Sequence, residues 1–145
     1  AARVGADCPV FIYNRPAICS GVGTEIALVE SPVPEGTWVV VSKPDVSVST
    51  REAYSGVAPK ERDMALMSLL EGTSPAEWPV AVANDFEHSV VLSYPAIAEE
   101  KETIAAAGAW YASMSGSGAA VYGLFNDCPT MAETPHRRVC QLRAF

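Results

Sequence analysis

Two groups of residues in this chain have types that could do chemistry, the first by its spacing as well. The first is Met114-Ser115-Gly116-Ser117-Gly118-Ala119-Ala120, a Ser/Gly loop between a helical segment and the apolar run Val121-Tyr122-Gly123-Leu124-Phe125. Two glycines separated by one serine let the backbone approach another group closely, because no Cβ stands in the way. Successive N–H groups in such a loop form a concave nest that attracts phosphate oxygens, or brace a neighbouring loop. A purely steric tight turn has the same composition. The second group is Cys128, His136 and Cys140, residue types that ligate metals. Their spacing matches no zinc pattern, so no metal site is expected. His88 and His136 have no partner in sequence and read as ordinary surface or core residues.

The elements that would hold the loop follow from pattern. Gly5 ends an incoming helix as a left-handed cap. Val10 to Tyr13 reads as a short β run, followed by an Asn14-Arg15-Pro16 turn. Ala17 to Val29 carries a weak strand signal interrupted by Gly21-Val22-Gly23, and Pro32, Pro34 and Gly36 mark a linker. Trp38 to Ser42 is the clearest strand. Ser49-Thr50-Arg51-Glu52 fits a capping box, opening a short helix through Tyr54 that ends near Gly56. Glu61 to Glu71 is helical, with Met64, Met67 and Leu70 at three-residue steps as core packing, and Gly72 stops it. Ser74-Pro75-Ala76-Glu77 is a second box with Pro at the first helical position, opening a helix that runs past Glu87. Pro95 starts another, Ala96 to Ala107, closed by Gly108. Strands at Trp110 to Ala112, Ala119 to Phe125 and Arg138 to Phe145 complete the chain. This order predicts an α+β fold, a mostly antiparallel sheet with helices packed on one face.

Bulk properties narrow the function. The chain has 145 residues, 49% of them apolar and 19% charged, which suits a folded domain with a real core. Ten Lys and Arg against 17 Asp and Glu give a net charge of −7, so no nucleic-acid footprint is present. An anionic substrate would be held by local donors against the general field. No apolar run has the length of a membrane span and no signal-peptide pattern opens the chain, so no membrane partner and a cytoplasmic location are expected. Cys8, Cys19, Cys128 and Cys140 are scattered, which reads as reduced, buried thiols rather than a disulfide framework. The chain opens Ala-Ala-Arg-Val-Gly without Met, and reads as a fragment of a longer protein.

Four motifs in fixed order carry a resemblance: Gly5-Ala6-Asp7-Cys8-Pro9-Val10-Phe11, Lys43 to Thr50, Asn84-Asp85-Phe86-Glu87, and Met114 to Phe125. Together they resemble the C-terminal half of the GHMP small-molecule kinases, over nearly the whole chain and weakening after Asp127. The nearest branch phosphorylates the 2-hydroxyl of 4-(cytidine 5'-diphospho)-2-C-methyl-D-erythritol in non-mevalonate isoprenoid synthesis. The resemblance implies a ferredoxin-like C-terminal domain over 31–145, preceded over 1–30 by the tail of the N-terminal kinase domain. It implies ATP with Mg²⁺ as co-substrate and Asp7 as the catalytic aspartate. A carboxylate on a rigid turn is well placed to accept a hydroxyl proton; the same residue also suits an Asx turn. The resemblance makes Ser115, Gly116, Ser117 and Gly118 a loop that lines the nucleotide site and steadies the main phosphate loop.

It further implies that Thr50 contacts substrate and that Tyr54 stacks on cytosine, which an aromatic face suits. Half-buried packing on the sheet is the other reading of Tyr54. Asn84 and Asp85 read as bracing backbone near the Ser/Gly loop, with Phe86 in the core. The family's lysine and main phosphate loop match no stretch of this sequence, so the 145 residues alone are expected to be inactive and to self-associate through the surface a partner half would cover. Other members of the superfamily (mevalonate, phosphomevalonate or homoserine kinase, or diphosphomevalonate decarboxylase) and a non-catalytic α+β ligand-binding domain are the competing readings.

Overall fold

The computed structural model describes Arg3, Gly5 and residues 8–58 and 65–143. They divide into two compact units, one reaching Pro34 and one running from Glu35 to Arg143. Asp7, the helix end expected before Gly5, Met64, and the last two residues of the expected closing strand lie outside the described residues.

The first unit holds helix α1 (Cys8–Tyr13) and an antiparallel hairpin of β1 (Ala17–Ser20) and β2 (Glu25–Leu28). Val10 to Tyr13 is therefore helical, not extended. Pro9 sits in the first turn, where its missing N–H costs nothing, and Asn14 N–H closes the helix on the Val10 carbonyl at 3.3 Å. The β preference of Val, Phe, Ile and Tyr yields to that start. Asn14 leaves the helix with a φ of 47°, so the expected turn forms. The interrupted strand at 17–29 is two strands, because Gly21 and Gly23 both take positive φ and reverse the chain. None of the described residues in this unit is buried, and Phe11 and Ile12 are 79% and 73% exposed.

The second unit is a four-stranded antiparallel sheet in the order β4-β5-β3-β6, with β3 at Trp38–Ser42, β4 at Tyr111–Met114, β5 at Val121–Phe125 and β6 at Arg137–Gln141. Its helices are α2 (Thr50–Ser55), α3 (Leu66–Gly72), α4 (Trp78–Ala81), α5 (Glu87–Ser93) and α6 (Pro95–Ala106), with a 3₁₀ turn at Pro75–Glu77. The α+β expectation holds. Helices α2, α5 and α6 cover one sheet face through Ala53, Val90, Ile97 and Ile104, packed on Val40, Met114, Val121 and Phe125. Helix α4 packs beside β4, where Trp78 meets Tyr111 edge to face at 6.0 Å.

Two helical segments differ from expectation, one in its cap and one in its length. At Ser49 the helix begins as expected, but no side-chain cap bond forms. The Glu52 carboxylate instead accepts the Tyr94 hydroxyl at 2.8 Å, tying α2 to the start of α6. At Ser74 the box does form: the Glu77 carboxylate accepts Ser74 N–H and hydroxyl at 2.9 and 2.8 Å. Those bonds, the hydroxyl first, hold the Glu77 carboxyl below its ordinary pKa. The helix it opens does not run past Glu87. It stops at Val82, which is extended, and restarts after Asn84. The Asn84 side-chain carbonyl accepts the Phe86 N–H at 2.9 Å and sets the new direction.

The cysteine expectation also changes. All four are free thiols, but Cys19, Cys128 and Cys140 are exposed and Cys8 is half-buried. Cys8, Cys19 and Cys140 lie on the short elements α1, β1 and β6, and Cys128 lies in the loop after β5.

Gly123 marks the closest approach of helix and sheet. It pairs with Val40 in β3 and Ala112 in β4. A Cβ there would run into Cγ2 of Ile104 on α6 and stand 3.1 Å from the Ala109 Cβ. Gly123→Ala is therefore expected to destabilise the fold by about 1–3 kcal/mol, the usual cost of overpacking a filled core. Urea unfolding reads this as a lower midpoint at unchanged slope. An unchanged midpoint would mean that Ile104 turns aside freely.

Candidate functional site

Helix α2 carries the first candidate pair. Thr50 opens the helix and Tyr54 lies four residues on, so both sit on one face, and both are exposed. The adjoining face is anchored: Ala53, three residues from Thr50, is buried in the core. At its C-terminal end, Gly56 lies so close to α5 that a Cβ there would stand 2.5 Å from the Ser89 Cβ. The Tyr54 ring is 65% exposed and touches Phe86 edge-on, with centroids 4.8 Å apart at 68°. It is not packed on the sheet. Its support is one aromatic edge, and the rest of the ring faces outward.

The Ser/Gly loop is held from within and from one side. Ser115 N–H donates to the Ala120 carbonyl at 2.8 Å, and Gly118 N–H to the Ser115 carbonyl at 3.0 Å. Two loop donors are thus spent on the loop's own carbonyls rather than aimed at a ligand. Gly118 has a φ of +90°, and a Cβ there would press on Met114 Sδ at 3.0 Å. Both the conformation and the space require glycine. From the side, the Asn84 carboxamide donates to the Met114 and Gly116 carbonyls, each at 2.8 Å. The bracing expected of Asn84 is present. Phe86 is partly buried against the core and also meets Tyr54.

Glu87 closes the arrangement. Its carboxylate accepts the Met114 N–H at 3.1 Å and the Ser113 hydroxyl at 3.2 Å, and it pairs with Lys101 of α6. Beside the loop lies a cavity of about 320 Å³ lined by Leu66, Asn84, Tyr111, Ser113, Gly116 and Tyr122, among others. Among the described residues that line it, none is Lys or Arg. Burial, then the neighbouring Tyr111 phenol and the Glu87 carboxylate, push the Tyr122 hydroxyl well above its usual pKa, so it stays neutral. Ser117 is half-buried within the loop. This is a shaped, uncharged wall, suited to steadying a neighbour.

The structure therefore links Thr50, Tyr54 and the loop 115–118 through the 84–87 turn. Asp7 lies outside the described residues. The supports at Gly56, Ser89 and Phe86 were not foreseen. Of these Phe86 had a signal in sequence as part of the Asn84 to Glu87 motif and Gly56 only as a helix end; Ser89 had none. Among the described residues no group of three or more His, Cys, Asp or Glu comes together, and no helix is long and apolar enough to cross a membrane. His88 and His136 are exposed.

With this geometry in view, similarity to known proteins is informative. Residues 62–132 match the family profile described as GHMP kinases C terminal. A protein of Bacteroides thetaiotaomicron named 4-diphosphocytidyl-2-C-methyl-D-erythritol kinase is 42% identical over 137 residues, covering 92% of this chain and 48% of its own length. A protein of that name from Cytophaga hutchinsonii is 36% identical over 97% of this chain and 51% of its own length. The chain thus spans about half the length of the curated relatives it matches. A solved structure of 4-(cytidine 5'-diphospho)-2C-methyl-D-erythritol kinase superposes with a TM-score of 0.67 at 28% identity, over 85% of this chain and 45% of that one. Homoserine kinase from Cytophaga hutchinsonii, at a TM-score of 0.53 and 23% identity over 70% of this chain and 36% of its own, shares the fold.

Proposed function

Residues 62–132 belong to the C-terminal family of the GHMP kinases, and from that premise we propose that this chain is part of an ATP-dependent kinase for 4-(cytidine 5'-diphospho)-2-C-methyl-D-erythritol. The observation that carries the reading is the outward Tyr54 ring one helical turn from Thr50, on a helix anchored in the core through Ala53. A flat base stacks on such a ring, and the hydroxyl of Thr50 is within one turn to hold the adjoining diphosphate arm. The relatives' names support the same substrate.

In the reaction, the γ-phosphoryl group of ATP moves to the 2-hydroxyl oxygen of the substrate, the hydroxyl proton goes to Asp7, and ADP leaves. ATP enters with its Mg²⁺. Phosphoryl transfer of this kind needs mainly positioning, charge neutralisation and a proton acceptor. Ser115, Gly116, Ser117 and Gly118 line the nucleotide side without carrying its charge; no basic side chain among the described residues borders the cavity that Ser115 and Gly116 help line. Residues 1–30 are read as the tail of the N-terminal lobe and 31–145 as the C-terminal domain. The outward Phe11 and Ile12 support self-association of the isolated 145 residues.

A substrate panel tests the proposal. The complete protein with ATP and Mg²⁺ is expected to phosphorylate the cytidine diphosphate alcohol and to leave homoserine and mevalonate unmodified. The 145 residues alone are expected to turn over none of them. Turnover of homoserine in place of the cytidine compound would overturn the substrate assignment.

A further inference from the structure

The geometry points to the Asn84–Phe86 turn and the Gly56–Ser89 contact as one positioning device that holds the base platform and the Ser/Gly loop in register. The inference rests on the proposed function for the names of the two sites, but its mechanics stand on contacts alone. From the loop, the Met114 and Gly116 carbonyls are both held by the Asn84 carboxamide N–H groups at 2.8 Å. The oxygen of the same carboxamide holds the Phe86 N–H at 2.9 Å. One planar group therefore fixes the loop and the start of α5 together, and all three bonds must shift if either moves.

Beyond the turn the connection is steric. The Phe86 ring supports the Tyr54 edge at 4.8 Å, and the Ser89 hydroxyl donates to the Phe86 carbonyl at 3.2 Å. Ser89 in turn occupies the space where a Cβ on Gly56 would go. Gly56 has a φ of −89°, so glycine is needed there for close approach rather than for its backbone freedom. Glu87 adds a second tie from α5 to the Met114 N–H. Interfaces packed this closely do not deform by degrees. A displacement of α2 at Gly56 is therefore passed to α5 and on to Met114 and Gly116. Asn84, Gly56 and Ser89 act through other residues and are positioning residues for both substrates.

Amide hydrogen exchange on the complete protein tests this directly, and steady-state kinetics give the consequence. Gly56→Ala is expected to speed exchange at the Ser115 and Gly118 amides as well as within α2. It is also expected to lower kcat/KM by up to about 10²-fold, the effect of misplacing reacting groups by about 1 Å. Ser89→Ala, which deletes the hydroxyl bonded to the Phe86 carbonyl and keeps the Cβ against Gly56, should speed exchange at the same two loop amides, by less than Gly56→Ala does. Asn84→Asp keeps the acceptor for Phe86 N–H and loses both donors, so it should deprotect the same two loop amides without touching Gly56. The inference is overturned if Gly56→Ala changes exchange only within residues 50–58, or if Asn84→Asp leaves the Ser115 and Gly118 amides unchanged. Exchange reads the coupling whether or not the wild-type protein turns over the cytidine compound. Wild-type turnover alone decides the substrate proposal.

Discussion

Changing Asp7 to Asn in the complete protein is expected to lower kcat by about 10²–10⁴-fold while the affinity for ATP stays nearly constant. The isosteric amide keeps the size of the side chain and removes its capacity to take the proton of the attacking hydroxyl. On the proposed function ATP is held by groups other than Asp7, so the loss should appear in turnover and not in affinity. Steady-state kinetics together with calorimetric ATP binding separate the two. A variant with near-wild-type kcat would remove Asp7 from the chemistry and leave it as a turn residue.

Tyr54→Ala should have the opposite signature. Loss of a base-stacking ring costs about 1–3 kcal/mol, which is roughly fivefold to more than a hundredfold in affinity. Stacking acts equally on bound substrate and transition state, so KM for the cytidine compound should rise with little change in kcat. Because the ring is 65% exposed and only edge-supported by Phe86, its removal should leave stability almost unaffected. A raised KM for ATP with an unchanged KM for the cytidine compound would assign the ring to the wrong substrate.

Much of the second unit was legible because its signals are local. Trp38 to Ser42, the Pro95 start and the positive-φ stop at Gly108 are each decided by a few adjacent residues. In this unit the helix misreadings share one physical source, competition from partners distant in sequence. Glu52 has the spacing to close a box with Ser49, yet its carboxylate is taken by Tyr94, 42 residues on. The helix opened at Ser74 stops where Asn84 turns its side chain to Met114 and Gly116, some 30 residues away. In the first unit the error is the reverse: the β preference of Val10 to Tyr13 lost to the local start at Pro9. The candidate site followed the same division. The loop and Tyr54 stood out by residue type, whereas Gly56 and Ser89 matter only through a contact between two helices.

The strand order also governs how the chain is made. Strand β3 is central, yet both its neighbours, β5 and β6, lie 80 to 100 residues later. At a synthesis rate of about 5–20 residues per second, the segment Trp38-Val39-Val40-Val41-Ser42 waits roughly 4–20 seconds for its partners to emerge. During that wait a β-prone, uncharged segment stands unpaired on both edges, the kind of stretch that joins other nascent chains. Pairing so distant in sequence is also slow to form once the partners are present. Yield during expression should therefore depend on temperature and on chaperone supply more steeply than the stability of the finished fold would suggest.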